Sequence, residues 1–271
     1  MNRGVLTKTV REVWVATLIF AGAMAVAEAF LSSVLPTFVD ETAGQILKVP
    51  FVKNMLTALL GADIGDAVGP ALVQPLVWAH PLVLGLLAAL EITHCTRLPA
   101  AEIDRGTIDV LLALPVSRWN LYLVETAVFV GAGALVMCMG IAGHRFGSLF
   151  VPPEFVLSTP ILLMIVGNLF SLYLAVGGVA FAVSSLSNLR GRAIAVILAI
   201  VLASFLLNFL AQMWTPAKTI SWAGVLTYYQ PAMILREQAW PIRDVLILLI
   251  VGASTWAFGA VVFIRRDICT V

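Results

Sequence analysis

The sequence predicts an all-α integral membrane protein with six transmembrane helices in a single domain over residues 1–271, and composition is the first reason. The chain is 61% hydrophobic and 11% charged, and its mean hydropathy is +1.02. Because a soluble domain carries about 25% charged residues, this chain has too few charges to cover a globule of its size in water. The second reason is a series of apolar runs of about 20 residues, the length that a helix needs to cross a bilayer.

The apolar runs give the spans in order, and the first run follows a basic N-terminal segment. This beginning resembles a secretory signal, but the run is longer than the about 7 to 15 apolar residues of such a signal, so we expect an uncleaved span. Pro70, Pro75 and Pro81 are expected to kink the second span, because each proline removes a helical hydrogen bond. The expected spans are 13–35, 68–93, 119–143, 158–184, 194–213 and 245–264.

Two long loops separate these spans. The loop 36–67 begins at Pro36 and contains an apolar stretch, 46–60, that is too short and too charged to cross a bilayer, so we expect it to lie along the surface. The loop 214–243 is rich in Trp and Tyr, which favour the membrane interface. It therefore predicts an interfacial or re-entrant segment before the last span.

Basic residues predict the orientation of the chain. Ten of the sixteen Lys and Arg residues fall in the segments 1–12, 94–118, 185–193 and 265–271, and six fall in the other loops. Because basic residues are enriched on the cytoplasmic side, we expect a multi-pass protein of the cell membrane with both termini in the cytoplasm. The net charge of +1 leaves no basic surface for a nucleic-acid partner.

A charged segment, residues 102–118, lies between the second and third spans and must contact water. Gly106 allows a bend, and Thr107 is expected to cap the first turn of a short helix. Asp109 in that turn suits the positive end of the helix dipole. Pro115 disfavours helix at the residue before it and ends the element.

This short helix has an apolar face, because Ile108, Leu111 and Leu112 fall at helical spacing. We expect an apolar projection with a charged rim between two spans. One interpretation is an interfacial helix that lies on lipid headgroups. The other is a helix that docks into a partner protein.

The stretch Asp104-Arg-Gly-Thr-Ile-Asp-Val-Leu-Leu-Ala-Leu-Pro-Val-Ser-Arg118 resembles the loop between the second and third spans of ABC-2 type permeases. These are membrane subunits of ATP-binding-cassette exporters, and their loop carries a coupling helix that inserts into the ATPase subunit. The serine-rich and basic stretch 178–193 resembles the second cytoplasmic turn of that family. Tyr228-Tyr229-Gln230-Pro231-Ala232 resembles the segment before its last span, whereas Glu125 departs from the basic residue that many members carry nearby.

The resemblance implies two kinds of protein partner: cytoplasmic ATPase subunits that bind ATP and Mg²⁺, and a second copy of the chain or a homologous permease. It also implies an outer gate that includes Tyr228, Tyr229 and Pro231. The chain itself has no Gly-x-x-x-x-Gly-Lys-Ser/Thr loop, so we expect no ATP hydrolysis, cofactor or metal site in it. The residues expected to dock the ATPase are Asp104, Arg105, Gly106, Thr107, Ile108, Asp109, Leu111, Leu112, Pro115 and Arg118.

Polar residues within the spans are the other candidates. Glu28 must face protein or water, because a carboxylate in lipid is costly, and it either lines a substrate path or lies at the membrane edge. Glu125 is expected to pair with Arg118 or with the basic turn at 190–192. Asn168, Asn208 and Gln212 favour hydrogen bonds between helices, and together with Glu28 they are candidates for a substrate path or a dimer face.

Glu91, His94 and Arg97 recur on one helix face and predict an ion-pair ladder. Two functions other than an ATP-driven permease stay open. One is a proton-coupled carrier or membrane-embedded enzyme that uses Glu28 and Glu125. The other is a membrane anchor that binds an ATPase without transporting a substrate.

Overall fold

The computed structural model describes residues 3–46, 73–113 and 115–267, and this part of the chain contains helices and no strands. Six helices, one of them broken by a kink, are long and apolar enough to cross a membrane, which confirms an all-α membrane protein. The α-helices are α1 Arg3–Ile46, α2 Val73–Ala79, α3 Pro81–Cys95, α4 Glu102–Asp104, α5 Ile108–Leu112, α6 Arg118–Gly147, α7 Thr159–Leu186, α8 Arg190–Met213, α9 Thr215–Ile220, α10 Pro231–Glu237 and α11 Ile242–Arg265.

The first span is much longer than its apolar run predicts. Helix α1 includes the polar N-terminal segment, where Lys8 and Glu12 form an ion pair of 2.8 Å one turn apart. It also continues through Pro36 to Ile46, so the expected loop start at Pro36 is wrong. A proline removes only its own backbone donor, and a membrane helix tolerates that loss. Most of the expected surface segment 46–60 lies outside the described residues.

The second span consists of α2 and α3, which meet at His80. The backbone of His80 is extended (φ −60°, ψ 137°) because Pro81 follows it, and the His80 ring accepts a hydrogen bond from the Leu82 N–H. The kink expected at Pro81 is therefore confirmed. Pro75 lies within α2 without ending it, and Pro70 lies outside the described residues.

Close helix contacts at glycines build the bundle. Helix α1 packs along α6, where a Cβ on Gly143 would collide with the backbone of Ala25. Helix α11 packs along α7, where a Cβ on Gly178 would collide with the carbonyl oxygen of Gly252. Both crossings are of the kind that small residues permit between membrane helices. Helix α8 is the least buried of the six candidate spans.

Hydrogen bonds identify the segments that share one side of the bundle. Arg97, after the second span, donates to Glu12 of α1. Arg266, after the last span, donates to the carbonyl oxygen of Ser185 and to the side chain of Asn188. We call this the N-terminal side, and it contains the 102–118 segment.

The opposite side is covered by the segment between α8 and α11. This segment contains α9, two 3-10 turns (Ser221–Ala223 and Val225–Tyr228) and α10. Helix α10 contacts both α2 and α7, so the segment packs into the bundle end.

Candidate functional site

The 102–118 segment is joined to the second span by an irregular turn, Arg97–Ala101, in which Leu98 is extended (φ −125°, ψ 132°). The turn docks on helix α7, where the Ser184 hydroxyl donates to the Leu98 carbonyl at 3.3 Å and accepts from the Ala100 N–H at 3.4 Å. Asp104 accepts a hydrogen bond of 3.2 Å from the backbone N–H of Arg190. The segment is therefore fixed to the connection between α7 and α8.

Gly106 provides the expected bend, with a φ of +68° that favours glycine. Thr107 does not cap the next helix as expected, since its backbone is helical (φ −90°, ψ −5°) instead of extended. Its hydroxyl donates to the Glu102 carboxylate, which also accepts from Arg105 at 2.9 Å. These two hydrogen bonds stabilise the bend at Gly106.

The apolar face of α5 points into the protein, which corrects the expectation of a projecting apolar surface. Ile108 is 0% exposed and Leu111 is 8% exposed, and both belong to the hydrophobic core. Leu112 is half-buried against that core. The outer face instead presents Asp109 and Val110, of which Val110 is 70% exposed. The physical reason is that these apolar side chains are removed from water when they pack against the hydrophobic core at this end of the bundle.

The end of the segment has the expected boundary. Helix α5 ends at Leu112, before the exposed Pro115. Arg118 then begins α6 and donates hydrogen bonds to the carbonyl oxygens of Phe263 and Arg266, at 3.2 and 2.6 Å. A cation suits the negative end of α11, so Arg118 connects the third span to the sixth.

Glu125 pairs with neither of its expected partners. The Glu125 carboxylate accepts hydrogen bonds from Nε and Nη2 of Arg97. It accepts a further hydrogen bond of 2.9 Å from the Thr9 hydroxyl. The expected partner Arg118 is committed to the end of α11, and Arg190 donates to the Thr96 hydroxyl at 3.3 Å. The Arg97–Glu125 pair therefore joins the first three spans on the N-terminal side.

The expected ladder of Glu91, His94 and Arg97 is not formed. The His94 ring contacts the Leu90 carbonyl at 3.0 Å and the Thr17 hydroxyl at 3.1 Å. Arg97 lies beyond the end of the helix, because the chain turns there, and it binds Glu125 and Glu12. Glu91 is left buried, and no partner for its carboxylate is found among the described residues.

Glu28 faces protein, as one of its two expected environments, and its depth in the membrane stays a prediction. It is 0% exposed, and its Oε2 atom lies 3.2 Å from Nδ1 of His144 on α6, which is also 0% exposed. The Trp78 ring packs beside His144, with 5.7 Å between ring centroids. Four buried polar atoms in this region have no hydrogen-bond partner among the described residues: Glu28 Oε1, Gln74 Oε1, Trp78 Nε1 and His144 Nε2.

Replacing Glu28 with leucine is expected to lower stability by about 1–3 kcal/mol, because Nδ1 of the buried His144 then loses its partner. Thermal unfolding of the purified variant in detergent measures this change. Glu154→Leu is the matched control, since Glu154 is exposed on the opposite side and its removal should change little. An unfolding temperature of Glu28→Leu equal to that of the wild type would show that the pair contributes nothing.

Of the other intramembrane candidates, Asn168 bonds to the 3-10 turn Val225–Tyr228 and not to another span. Its side-chain amide donates to the Tyr228 carbonyl at 3.2 Å. Asn208 is half-buried on α8, and the side chain of Gln212 lies outside what the structure describes. The expected substrate path or dimer face therefore stays a prediction.

The residues expected to form an outer gate lie together on the opposite side. The Tyr228 hydroxyl donates to the Trp222 carbonyl at 2.7 Å, and Pro231 is the first residue of α10. The buried Tyr229 hydroxyl donates to the Trp78 carbonyl at 3.2 Å. Burial, and secondarily the Glu28 carboxylate, raise the pKa of Tyr229 well above its usual value, so this hydroxyl stays protonated and keeps donating.

Sequence reasoning missed three features of these sites: the role of His144, the inward face of α5 and the docking of Leu98 on Ser184. Within the described ranges, no group of three His, Cys, Asp or Glu side chains is arranged to hold a metal ion. Comparison with protein-family profiles, curated proteins and solved structures finds no match for this chain.

Proposed function

We propose that this chain is the permease subunit of an ABC-2 type transporter, which moves a lipophilic or amphipathic substrate outward. The resemblance of residues 104–118 to the coupling loop is the basis of the proposal. The observation that carries it is the position of this segment: it lies at the end of the bundle where α1 begins and α11 ends, and it is hydrogen-bonded to the α7–α8 connection through Asp104 and Arg190.

The burial of Ile108 and Leu111 changes which residues would contact an ATPase. The contact surface would be the outer face of the segment, with Arg105, Asp109 and Val110. Its charged rim and the exposed Val110 suit a groove on a soluble protein. The buried face would then make the segment rigid, so that movement of the ATPase is passed to the spans.

ATP and Mg²⁺ would bind to the partner subunits, and this chain would respond to their closure. Because a partner shifts a conformational equilibrium only through its different affinities for the two states, the 102–118 segment must change its contacts during the cycle. A second copy, or a homologous permease, would complete the path across the membrane. The exposed apolar face of α8, which includes Leu206 and Leu210, suits contact with lipid or with that copy.

Val110→Asp is expected to weaken capture of the ATPase, and ATP hydrolysis coupled to it, by at least about tenfold, since a charge at the centre of an interface disrupts its packing. Membrane insertion and thermal stability should not change, because Val110 is 70% exposed. Extraction in mild detergent, followed by measurement of the co-purified ATPase and its activity, tests this. Leu149→Asp, at a residue 77% exposed on the opposite side, is the control.

Two results would contradict the permease proposal. One is that Val110→Asp captures the ATPase and supports its activity as fully as the control Leu149→Asp does. The other is labelling of a Val110→Cys variant by a membrane-impermeant thiol reagent in intact cells, which would place the segment outside the cell. The non-transporting anchor is separated from the permease by substrate movement in vesicles that contain both subunits.

The second candidate function is a proton-coupled carrier, and the buried pair of Glu28 and His144 favours it. Two ionisable groups enclosed in a span bundle mark proton pathways in membrane proteins. Glu125 plays no part in this version, because Arg97 neutralises it. Substrate uptake driven by a pH gradient without ATP, and lost in Glu28→Gln, would favour the carrier over the permease.

A further inference from the structure

A cavity of about 330 Å³, which we call the slot, lies between helices α3, α7 and α8. This volume falls within the range of small-molecule binding sites, about 300–1,000 Å³. Along α3, its lining runs from Pro81 to Ile92, a length of about 16 Å at the helical rise. Val225 and Leu226, which lie on the opposite side of the bundle, also line it.

The walls of this slot are almost wholly apolar. Leu169 and Leu172 of α7 face Leu202 and Phe205 of α8 across it. The hydroxyl groups in the lining are already engaged: Tyr173 donates to the Phe129 carbonyl at 2.9 Å, and Ser204 accepts from the Leu226 N–H at 3.3 Å. The slot is therefore suited to a hydrocarbon chain.

The exception is Glu91, which lies near the N-terminal-side end of the slot and is the one acidic side chain among the described residues that line it. Glu91 is 3% exposed, and no hydrogen bond or ion pair to its carboxylate is found among the described residues. The nearest basic groups along the chain are used elsewhere. His94 contacts Leu90 and Thr17, and Arg97 binds Glu125 and Glu12.

Ionising a carboxyl group in an apolar cavity is costly, and a cation that enters the cavity offsets that cost. We propose that the slot binds a single-chain amphiphile with a positively charged amine, with its head at Glu91 and its tail toward Leu226. The charge of Glu91 selects the cation over neutral and anionic chains, and the apolar length of the slot selects one hydrocarbon tail. The proposal does not depend on an ATPase and stands apart from the permease function.

Binding of dodecylamine to the purified protein in phosphatidylcholine nanodiscs tests this proposal. Equilibrium dialysis against nanodiscs without protein removes the contribution of partition into lipid. The wild type is expected to bind dodecylamine at least about tenfold more tightly than dodecanol, since a charged hydrogen bond adds to the apolar contact. Glu91→Gln should lose this preference while its affinity for dodecanol stays the same.

Gly85→Leu tests the slot separately from its charge. Gly85 lines the slot, and a Cβ there meets no atom within 4 Å, so a larger side chain at this position has room to enter the cavity. This variant should bind neither compound. Gly22→Leu is the matched control, because Gly22 also has open space around it but lies on α1, and this variant should bind as the wild type does.

Three results would overturn the proposal. The first is dodecylamine binding by Glu91→Gln that equals the wild type within twofold. The second is unchanged dodecylamine binding by Gly85→Leu, which also covers the case in which Glu91→Gln does not fold. The third is displacement of dodecylamine when phosphatidylethanolamine is added to the nanodiscs, which would assign the site to a membrane lipid with an ammonium head.

Discussion

Replacing Gly143 with leucine is expected to separate the first and third spans and to leave little folded protein. A Cβ at Gly143 would collide with the carbonyl oxygen, carbonyl carbon and Cα of Ala25 on α1. These are backbone atoms, which cannot rotate away as a side chain can. Overpacking usually costs about 1–3 kcal/mol, and we expect the upper end or more here, about 3 kcal/mol.

Thermal unfolding in detergent and the yield of monodisperse protein measure this effect. Gly131→Leu is the matched control, because Gly131 lies on the same helix and a Cβ there meets no atom within 4 Å. Gly147→Leu should behave like Gly143→Leu, since its Cβ would collide with the Ala29 carbonyl and the Ser32 hydroxyl. Similar stability of Gly143→Leu and Gly131→Leu would contradict the observed crossing of α1 and α6.

Arg97→Ala is expected to destabilise the protein by about 3–5 kcal/mol, because it leaves a buried carboxylate without its partner. Arg97 and Glu125 are only 11% and 8% exposed in their side chains, so little water can replace the guanidinium. Unfolding of the variant at a temperature well below that of the wild type is the expected observation. Arg97→Lys should recover only part of the loss, since one ammonium cannot contact both Glu125 and Glu12 as the planar guanidinium does.

A matched control and a double variant sharpen this prediction. Arg105 pairs with Glu102 at 2.9 Å, but its side chain is 58% exposed, so Arg105→Ala should cost at most about 1 kcal/mol. Adding Glu125→Gln to Arg97→Ala should restore stability relative to Arg97→Ala alone, because no unpaired charge then remains. If the stability losses of Arg97→Ala and Glu125→Gln simply add in the double variant, the ion pair has no role in holding the three spans together.

The architecture was largely predictable, because the length and composition of apolar runs depend directly on the thickness of the bilayer. The residues at which the helices begin and end were less predictable. Polar residues beside a span are compatible with helix once they are in water, so α1 could begin at Arg3, well before its apolar run. Pro36 gave a misleading signal, because a proline weakens a helix without always ending it.

Side-chain partners were the least predictable feature of the candidate sites. Arg97 reaches Glu125 because an irregular turn follows α3, and spacing along the chain carries no information about such a turn. The inward face of α5 was missed because periodicity identifies an apolar face without saying what covers it. A useful signal was available in the third span, where Gly140, Gly143 and Gly147 recur at helical spacing and predict a close contact.

The hydrogen bond from the first residue of α8 to Asp104 has a mechanical consequence. Helix α8 is the least buried candidate span, and it forms one wall of the slot that contains Glu91. A displacement of the 102–118 segment would therefore be transmitted to the first residue of α8 and would tilt this helix relative to the rest of the bundle. Such a tilt would widen or narrow the slot, while the tightly crossed pairs α1–α6 and α7–α11 stay still.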